Sequence, residues 1–311
     1  MAAKYADDSR GAARAGTDFD KEERALFNKA QKLRDATASP GNTEKVTSQV
    51  VDIYSDGTRM SGTIWRPDGV SNPLPAVLLC HGWGGLRSQL DFQYAINFAK
   101  AGLVAVTFDY RTFGDSDGIL LSEGPQPRPD ADGMVNVRAR VVRKIVDPEW
   151  QNRDIVSAMS FLRSLEGVDT SRIGIWGSSL GGGHVLKVAG GDGGIKCVVA
   201  QIGSIDTYTN WVSRHPDYRG EAEIAGLSGL HAQGSVLPWT MKPPYGLSAA
   251  PNLPKVVFEH RPLDGANNIK VPTLLLPAQD EDLYPNAQNS EKVFQLLCYF
   301  NDYVIATNMS L

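Results

Sequence analysis

The feature that most constrains the fold is a series of short apolar runs rich in valine, leucine and isoleucine, several of them separated by helical patterns. The runs are 75–80 (PAVLLC), 103–110 (LVAVTFDY), 172–177 (RIGIWG), 196–203 (KCVVAQIG), 271–278 (VPTLLLPA) and 303–307 (YVIAT). The helical patterns cover 88–101, 148–166 and 180–189. Strands that are apolar on both faces and alternate with helices are typical of a mostly parallel sheet covered on both sides. The sequence therefore predicts a doubly wound α/β fold.

An antiparallel hairpin is predicted ahead of the first apolar run. Two strand-like segments, VTSQVVDIYS and TRMSGTIWRP, flank an Asp56-Gly57 pair. A two-residue hairpin turn needs positive φ angles, which these residue types tolerate. Before the hairpin, residues 1–45 are expected to form an arm and one helix, because apolar residues recur at helical spacing between Asp18 and about Ala36.

Two segments interrupt the alternation of strands and helices. The first is 119–146, which includes the basic stretch RARVVRK at 138–144. That stretch is interpreted as the solvated face of a helix, and the alternative is a binding surface for an anionic substrate tail. The second is 204–262, which contains several Trp and Tyr residues among many Gly and Pro residues. Neither segment is a repeat or a low-complexity tract.

Charge and composition exclude several classes of function. The net charge of −4 and the pI near 5.8 provide no attraction for nucleic acid or for an anionic membrane surface. The longest apolar runs are far too short to span a bilayer, and the N-terminal residues lack the apolar core of a secretory signal. The three cysteines are scattered along the chain, as is typical of a reducing compartment. A cytoplasmic location is therefore expected.

The strongest local motif is RIGIWGSSLGGGH, in which a strand runs into Gly177-Ser178-Ser179-Leu180-Gly181 and then into a helix. G-x-S-x-G in this setting is typical of a nucleophile elbow, a tight turn that lifts its central serine clear of the sheet. The helix directs its N-terminal amides at negative charge that develops nearby. A glycine-rich structural turn or a phosphate loop is the alternative, although the Lys-Ser/Thr pair of a phosphate loop is absent. Ser179 is the candidate nucleophile.

A second glycine-rich loop, HGWGG at 81–85, follows the first long apolar strand. Acyl transfer needs two backbone N–H donors directed at the oxyanion, and such a loop can supply one of them. The Trp83 amide is the candidate for one donor and the Leu180 amide for the other. Two such loops, in this order and each after a strand, favour a serine-hydrolase scaffold.

Together these motifs resemble the α/β-hydrolase superfamily. The matching segments are CHGWGG, FDYRTFGDSDG, WGSSLGG and VPTLLLPAQDEDLYP. Within the superfamily, the chain is similar to the branch of dienelactone hydrolase-like and X-prolyl dipeptidyl-peptidase-like proteins, which includes fungal polyketide-tailoring hydrolases and transferases. The resemblance covers roughly residues 46–311.

The resemblance implies a domain organisation and an activity. Residues 46–311 would form one α/β-hydrolase domain, with the hairpin as the antiparallel start of a mostly parallel sheet and a cap inserted at about 204–262. The implied reaction is hydrolysis or transfer of an ester, thioester or amide acyl group of a small-molecule substrate, without a cofactor or a metal ion. Neither nucleic acid nor a membrane is expected as a partner.

The catalytic acid is expected among three consecutive carboxylates, Asp280, Glu281 and Asp282, which follow the strand VPTLLLPA. In the family pattern the acid stands four residues before a proline that opens the next helix, and Glu281 has this position relative to Pro285. Asp280 is the second candidate. The alternative is a solvated acidic loop without a catalytic role.

The general base should be a histidine that follows the acid in the chain. The sequence contains His81, His184, His215, His231 and His260. None of them follows Glu281, which departs from the family pattern. The ring of His81 is expected to shape the 81–85 loop, and the other four are interpreted as packing or surface residues.

The last residues of the chain offer an explanation for this departure. The segment DYVIATNMS resembles the last strand of the family, which leads into the catalytic histidine. The expectation is therefore that this histidine and a final helix would follow Leu311, and that the chain as written is poorly soluble and nearly inactive.

The function predicted from the sequence is that of a serine hydrolase which forms an acyl-enzyme at Ser179. One alternative is an acyltransferase, in which a second alcohol or amine replaces water. The other is a non-catalytic relative that binds a small ligand under its cap.

Overall fold

The computed structural model describes residues 45–209, 250–251, 260–278, 289–297 and 304–305. Several predictions fall outside these residues. They are the N-terminal arm and helix, most of the cap, the carboxylates Asp280, Glu281 and Asp282, and the end of the chain at 306–311.

The described elements, in chain order, are β1 (Val46–Ser55), β2 (Thr58–Pro67), β3 (Leu74–Cys80), α1 (Arg87–Leu90), a π-helical turn (Asp91–Ala95), α2 (Ile96–Lys100), β4 (Val104–Phe108), β5 (Ile119–Ser122), β6 (Ala139–Val142), β7 (Ile145–Val146), α3 (Pro148–Ser164), β8 (Val168–Ser178), α4 (Leu180–Ala189), β9 (Cys197–Gln201), β10 (Ala250–Pro251), α5 (Pro262–Ala266), β11 (Thr273–Leu276), α6 (Ser290–Leu297) and β12 (Val304–Ile305). All six predicted apolar runs contain a strand, and the three predicted helical patterns are helical.

The main sheet, over the described residues, has the strand order β1-β2-β4-β3-β8-β9-β11-β12. The first two pairings, β1 with β2 and β2 with β4, are antiparallel, and the remaining neighbours are parallel. The hairpin turn has positive φ at both central residues, +48° at Asp56 and +79° at Gly57, as the two-residue turn requires. The predicted mostly parallel sheet with an antiparallel start is therefore confirmed.

Apolar side chains from successive strand residues cover the two faces of the sheet in turn. On one face, Leu78 and Ile175 belong to the larger core, which also contains Ile155 of α3 and Leu186 of α4. On the other face, Leu79, Ala105 and Trp176 pack with residues of the α1–α2 segment. The helix α3 begins at an N-cap, Asp147, whose carboxylate accepts hydrogen bonds from the Glu149 and Trp150 amides. The sheet is therefore covered on both sides, which explains its continuous apolar strands.

The segment 119–146 corrects one sequence interpretation. The stretch 138–144, interpreted as a helix face, is mostly the strand β6, which pairs antiparallel with β5 from Ile119↔Val142 to Ser122↔Ala139. Val141 is exposed and Val142 is buried, so these two neighbours lie on opposite faces of the strand. Pairing with a partner strand, which a single-sequence pattern does not reveal, outweighs the local preference.

Two further observations concern helix length and the cysteines. Within the described parts of the chain, no helix combines the length and apolar character needed to cross a membrane. Cys80 and Cys197 are both free thiols, the first buried and the second exposed.

Strand register determines where the loops of the site begin. Cys80, the last residue of β3, pairs with Gly177 of β8. Parallel neighbours end at the same edge of a sheet, so the HGWGG loop and the GSSLG turn start side by side.

Candidate active site

Ser179 occupies a strained backbone conformation at the junction of β8 and α4. Its φ and ψ angles are +57° and −123°, a region that residues with a β-carbon rarely adopt. Backbone hydrogen bonds hold it there: the Ser179 amide donates to Gln201 O at 2.9 Å, and Ser179 O accepts from Ser204 N at 2.9 Å. The sharp turn predicted from G-x-S-x-G is therefore present, with the serine at its centre.

The glycines of the motif are required by close backbone contacts. A β-carbon on Gly177 would overlap the carbonyl oxygen of Gly181. A β-carbon on Gly181 would lie 2.5 Å from the carbonyl oxygens of both Cys80 and His81. Larger residues would push the turn away from β3, so the spacing of the motif follows from packing at this junction.

The HGWGG loop passes directly over the serine. A β-carbon on Gly82 would lie 2.9 Å from the Ser179 Cβ and 3.4 Å from its Oγ. Trp83 follows Gly82, and its side chain packs against the larger core. Leu180 is the first residue of α4, whose first amides have no partner within the helix. The structure thus brings together the loops that carry Ser179, Trp83 and Leu180, and the roles of the two amides stay predictions.

His81 shapes this loop, as the sequence predicted. The ring is buried; its Nδ1 lies 2.9 Å from the Gly82 carbonyl oxygen, and its Nε2 lies 3.4 Å from the Tyr110 amide nitrogen. The Tyr110 ring packs edge-on against it with centroids 4.4 Å apart. Burial lowers the pKa of His81, although the Gly82 carbonyl and the Asp109 carboxylate raise it.

His184 and His260 are buried packing residues. His184 Nε2 lies 3.0 Å from Gln151 Oε1, and the two histidine rings are 4.7 Å apart. Burial, with the neighbouring rings of His260 and His81, holds the pKa of His184 well below its usual value. Burial and the positive charge of Lys187 lower the pKa of His260 to about 3. Both rings are therefore neutral at pH 7.

None of the three histidine rings in the described residues forms a hydrogen bond with the Ser179 hydroxyl. The remaining histidines, His215 and His231, lie outside those residues. In the part of the chain that is described, no group of three or more His, Cys, Asp or Glu side chains is arranged to hold a metal ion.

The acid loop follows β11, which pairs with β9 so that Leu276 lies beside Gln201. Its carboxyl end is therefore at the same edge of the sheet as Ser179. Asp280, Glu281 and Asp282 come a few residues later, outside the described residues. Their order as candidates stays a prediction.

Asp109 is a component of the site that the sequence analysis missed. Its carboxylate is buried and accepts hydrogen bonds from the Arg87 amide at 2.8 Å and from the Asp115 amide at 3.1 Å. The Arg87 Nε lies 3.3 Å from the second oxygen. A β-carbon on Gly114 would overlap this carboxylate. The available signal was an acidic residue directly after a buried strand, in FDYRTFGDSDG.

The two ends of the segment between β9 and α5 meet beside α4. The hydroxyl of Thr207 donates to the His260 carbonyl oxygen at 3.2 Å. At one end, Ser204 N is bonded to Ser179 O. At the other end, α5 packs against α4 so closely that a β-carbon on Gly190 would overlap the carbonyl of Gly265.

A family model for X-Pro dipeptidyl-peptidase (S15 family) matches residues 56–226, which is more than half of the chain. The matched region includes the HGWGG loop, Asp109 and the GSSLG turn. The chain belongs to the S15 family. The resemblance found in the sequence motifs is thereby confirmed.

Relatives of this S15-family chain include proteins with different descriptions. It is 31% identical over 187 residues to the quorum-quenching protein AidA of Acinetobacter baumannii, covering 60% of this chain and 53% of that protein. It is 29% identical over 159 residues to the thiohydrolase aneE of Aspergillus aculeatus, covering 51% of this chain and 42% of that protein. The chain thus spans about half or less of the length of these curated relatives.

The fold of the S15-family chain is similar to that of solved α/β-hydrolases. The alpha/beta hydrolase GrgF from Penicillium sp. sh18 superimposes with a TM-score of 0.57 at 17% identity, covering 85% of this chain and 90% of that one. Together with the strand order, this confirms the predicted α/β-hydrolase fold.

Proposed function

We propose that this chain is a serine acyl hydrolase that cleaves an ester, thioester or amide bond of a small molecule through Ser179. The observation that carries the proposal is the conformation of Ser179, φ +57° and ψ −123°, directly beneath Gly82 of the neighbouring loop. Backbone strain of this kind persists only where the surrounding structure holds it in place, and it concentrates at functional sites.

The reaction would proceed in two steps. A general base takes the proton of the Ser179 hydroxyl, and Oγ bonds to the acyl carbon. The carbonyl oxygen becomes an oxyanion, which accepts hydrogen bonds from the Trp83 and Leu180 amides. The bond to the leaving group then breaks, and the leaving group takes up the proton. Water attacks the acyl-enzyme in the same way, which releases the acid and restores the serine.

The comparisons support an acyl group as the target. The matched family is one of peptidases, and one relative is named a thiohydrolase. Amide and thioester cleavage share the same tetrahedral oxyanion, so one arrangement of nucleophile and amides serves both. Acyl thioesters are therefore the first substrates to assay, followed by p-nitrophenyl esters and X-Pro amides.

The test is labelling with a fluorophosphonate probe, which reacts with an activated serine. In a protein whose triad includes a histidine base, we expect labelling of the wild type, loss of labelling in Ser179→Ala, and retention in Ser178→Ala, because only the central residue of the turn projects from it. Ser178 is the matched control, since it is the adjacent serine in the same motif. Labelling that persists in Ser179→Ala, or a wild-type protein that is not labelled, contradicts the proposal.

An acyl thioester assay separates a hydrolase from a transferase. A hydrolase releases free acid from an acyl thioester with water as the only acceptor. If the acyl group stays on Ser179 until an alcohol or amine is added, the protein is an acyltransferase and not a hydrolase.

A further inference from the structure

We propose that the His81 ring and the Asp109 carboxylate are positioning groups that clamp the two ends of the oxyanion loop, residues 82–86, onto the segment that follows β4. The inference rests on the proposed function, because it concerns how the loop presents the Trp83 amide. Neither group touches the reacting atoms; both act through the backbone of the loop.

The clamp at the start of the loop requires one tautomer of His81. The Tyr110 amide donates to Nε2 at 3.4 Å, so this nitrogen carries no proton. A neutral ring then has its proton on Nδ1, which can donate to the Gly82 carbonyl oxygen at 2.9 Å. A doubly protonated ring would set an N–H against the Tyr110 N–H. The two contacts are therefore compatible with a single neutral form of the ring.

The clamp at the end of the loop is the buried carboxylate of Asp109. It accepts from the Arg87 amide at 2.8 Å, the first residue after the loop. The preceding residue, Leu86, is fixed by a hydrogen bond from its amide to Gln89 Oε1 at 3.0 Å. Charge-assisted bonds of a carboxylate to backbone amides are among the stronger ones in proteins.

Both clamps lead to the same two consecutive residues, Asp109 and Tyr110. This segment is itself fixed, because Asp109 N donates to Ser61 O at 2.9 Å and the Ser116 hydroxyl donates to Asp109 O at 2.6 Å. The edge-on packing of Tyr110 against His81 adds a further contact. Both ends of the oxyanion loop are thus bonded to residues whose own backbone positions are fixed.

A misplaced oxyanion donor affects the transition state more than substrate binding, because charge on the carbonyl oxygen develops only during the reaction. Loss of one such donor lowers kcat by about 10²–10³. Loosening either clamp should therefore lower kcat by an amount approaching this range, with KM changed by less than about threefold.

The kinetic test uses substitutions that each remove one clamp. Asp109→Asn keeps the shape of the side chain but offers one acceptor oxygen in place of two. His81→Asn presents a polar atom near the Nδ1 position and His81→Gln near the Nε2 position, so each retains at most one of the two contacts. The control is Asp117→Asn. Asp117 lies in the same segment after β4 as Asp109, and its carboxylate pairs with Arg59 at 2.7 Å. All variants are compared at temperatures well below their melting midpoints.

We expect a lower kcat with a nearly unchanged KM in the three clamp variants, and wild-type values in Asp117→Asn. A wild-type kcat in Asp109→Asn and in both His81 variants overturns the proposal. A rise in KM without a fall in kcat also overturns it, because that pattern reports lost substrate binding.

A spectroscopic test is independent of any activity. The ¹⁵N signals of the His81 ring, assigned by their loss in His81→Gln, should show a protonated Nδ1 and an unprotonated Nε2 at pH 7. The opposite tautomer, or fast exchange between the two, overturns the clamp even in an active enzyme. An inactive wild-type protein that shows the expected tautomer contradicts the proposed function and leaves the clamp standing.

Discussion

Arg111 and Asp154 form a buried ion pair that joins the segment after β4 to α3. Arg111 Nη2 lies 2.6 Å from Asp154 Oδ1, and the Arg111 amide donates to Oδ2 at 3.0 Å. The guanidinium also donates to the Ser55 hydroxyl at 2.8 Å, at the end of β1. Burial raises the pKa of Asp154 even though Arg111 opposes the shift. Arg111 therefore connects the hairpin, the segment after β4 and α3.

Removing one partner of this pair should be strongly destabilising. Asp154→Ala leaves the buried Arg111 guanidinium with only the half-exposed Asp56 carboxylate, 3.2 Å away, as an acidic partner, so the free energy of unfolding should fall by about 3–5 kcal/mol. The measurement is urea denaturation followed by tryptophan fluorescence. The double variant Arg111→Met, Asp154→Leu should recover most of the loss, since an apolar pair carries no desolvation cost. An Asp154→Ala protein as stable as wild type contradicts this assignment.

The elbow glycine Gly177 should tolerate no side chain. In Gly177→Ala the new methyl group overlaps the Gly181 carbonyl, and the turn must shift. We expect a loss of about 1–3 kcal/mol of unfolding free energy and loss of fluorophosphonate labelling. Gly193→Ala is the control, because a β-carbon there has no atom within 4 Å. If both variants retain labelling and stability, the turn is looser than the structure shows.

The buried neutral histidines predict acid destabilisation. The pKa of His260 is about 3 in the folded protein, below the value of about 6.5 in the unfolded chain. Between these values the unfolded state binds more protons, so the unfolding free energy falls as the pH is lowered through this window and is unaffected above it. The contribution approaches about 1.4 kcal/mol per pH unit for each such histidine.

Denaturation of the wild type and of His260→Gln between pH 7 and pH 5 measures this contribution. The slope of unfolding free energy against pH should be shallower in the variant. The reason is that glutamine has no proton to bind, whereas His260 stays neutral in the folded protein and becomes protonated on unfolding. Equal slopes mean that His260 gains or loses no proton on unfolding in this window.

Kinetic comparison of three variants tests which of the carboxylates at 280–282 acts as the catalytic acid. Glu281→Gln should lower kcat by about 10⁴ with little change in KM, as loss of a triad acid does. Asp280→Asn and Asp282→Asn are the matched controls in the same loop. If Asp280→Asn lowers kcat strongly and Glu281→Gln lowers it only slightly, Asp280 is the catalytic acid and the assignment of Glu281 is wrong.

The sequence predicted those parts of the fold that depend on local patterns. The apolar runs, the Asp56-Gly57 turn and the sharp turn at G-x-S-x-G each depend on a few neighbouring residues, and the structure confirms these three local conformations. The strand β6 was misread because its state depends on pairing with β5, which lies 17 or more residues earlier. Asp109 was missed for a similar reason, since its partner Arg87, the first residue of α1, lies 22 residues earlier in the chain. Contacts between distant residues leave no periodic trace in a single sequence.

The bond between Thr207 and His260 has an evolutionary consequence. The chain leaves the sheet after β9 and returns to the same point before α5. One flank is bonded to Ser179, the residue before α4, and the other packs against α4 itself. The entropy cost of lengthening a closed loop grows only with the logarithm of its length. Apart from Ala250–Pro251, which pair with Ile145–Val146, the segment between Thr207 and His260 can therefore change in length at a modest entropy cost while the turn at Ser179 keeps its geometry. Under the proposed function, selection on this segment would change substrate preference without altering the backbone at Ser179.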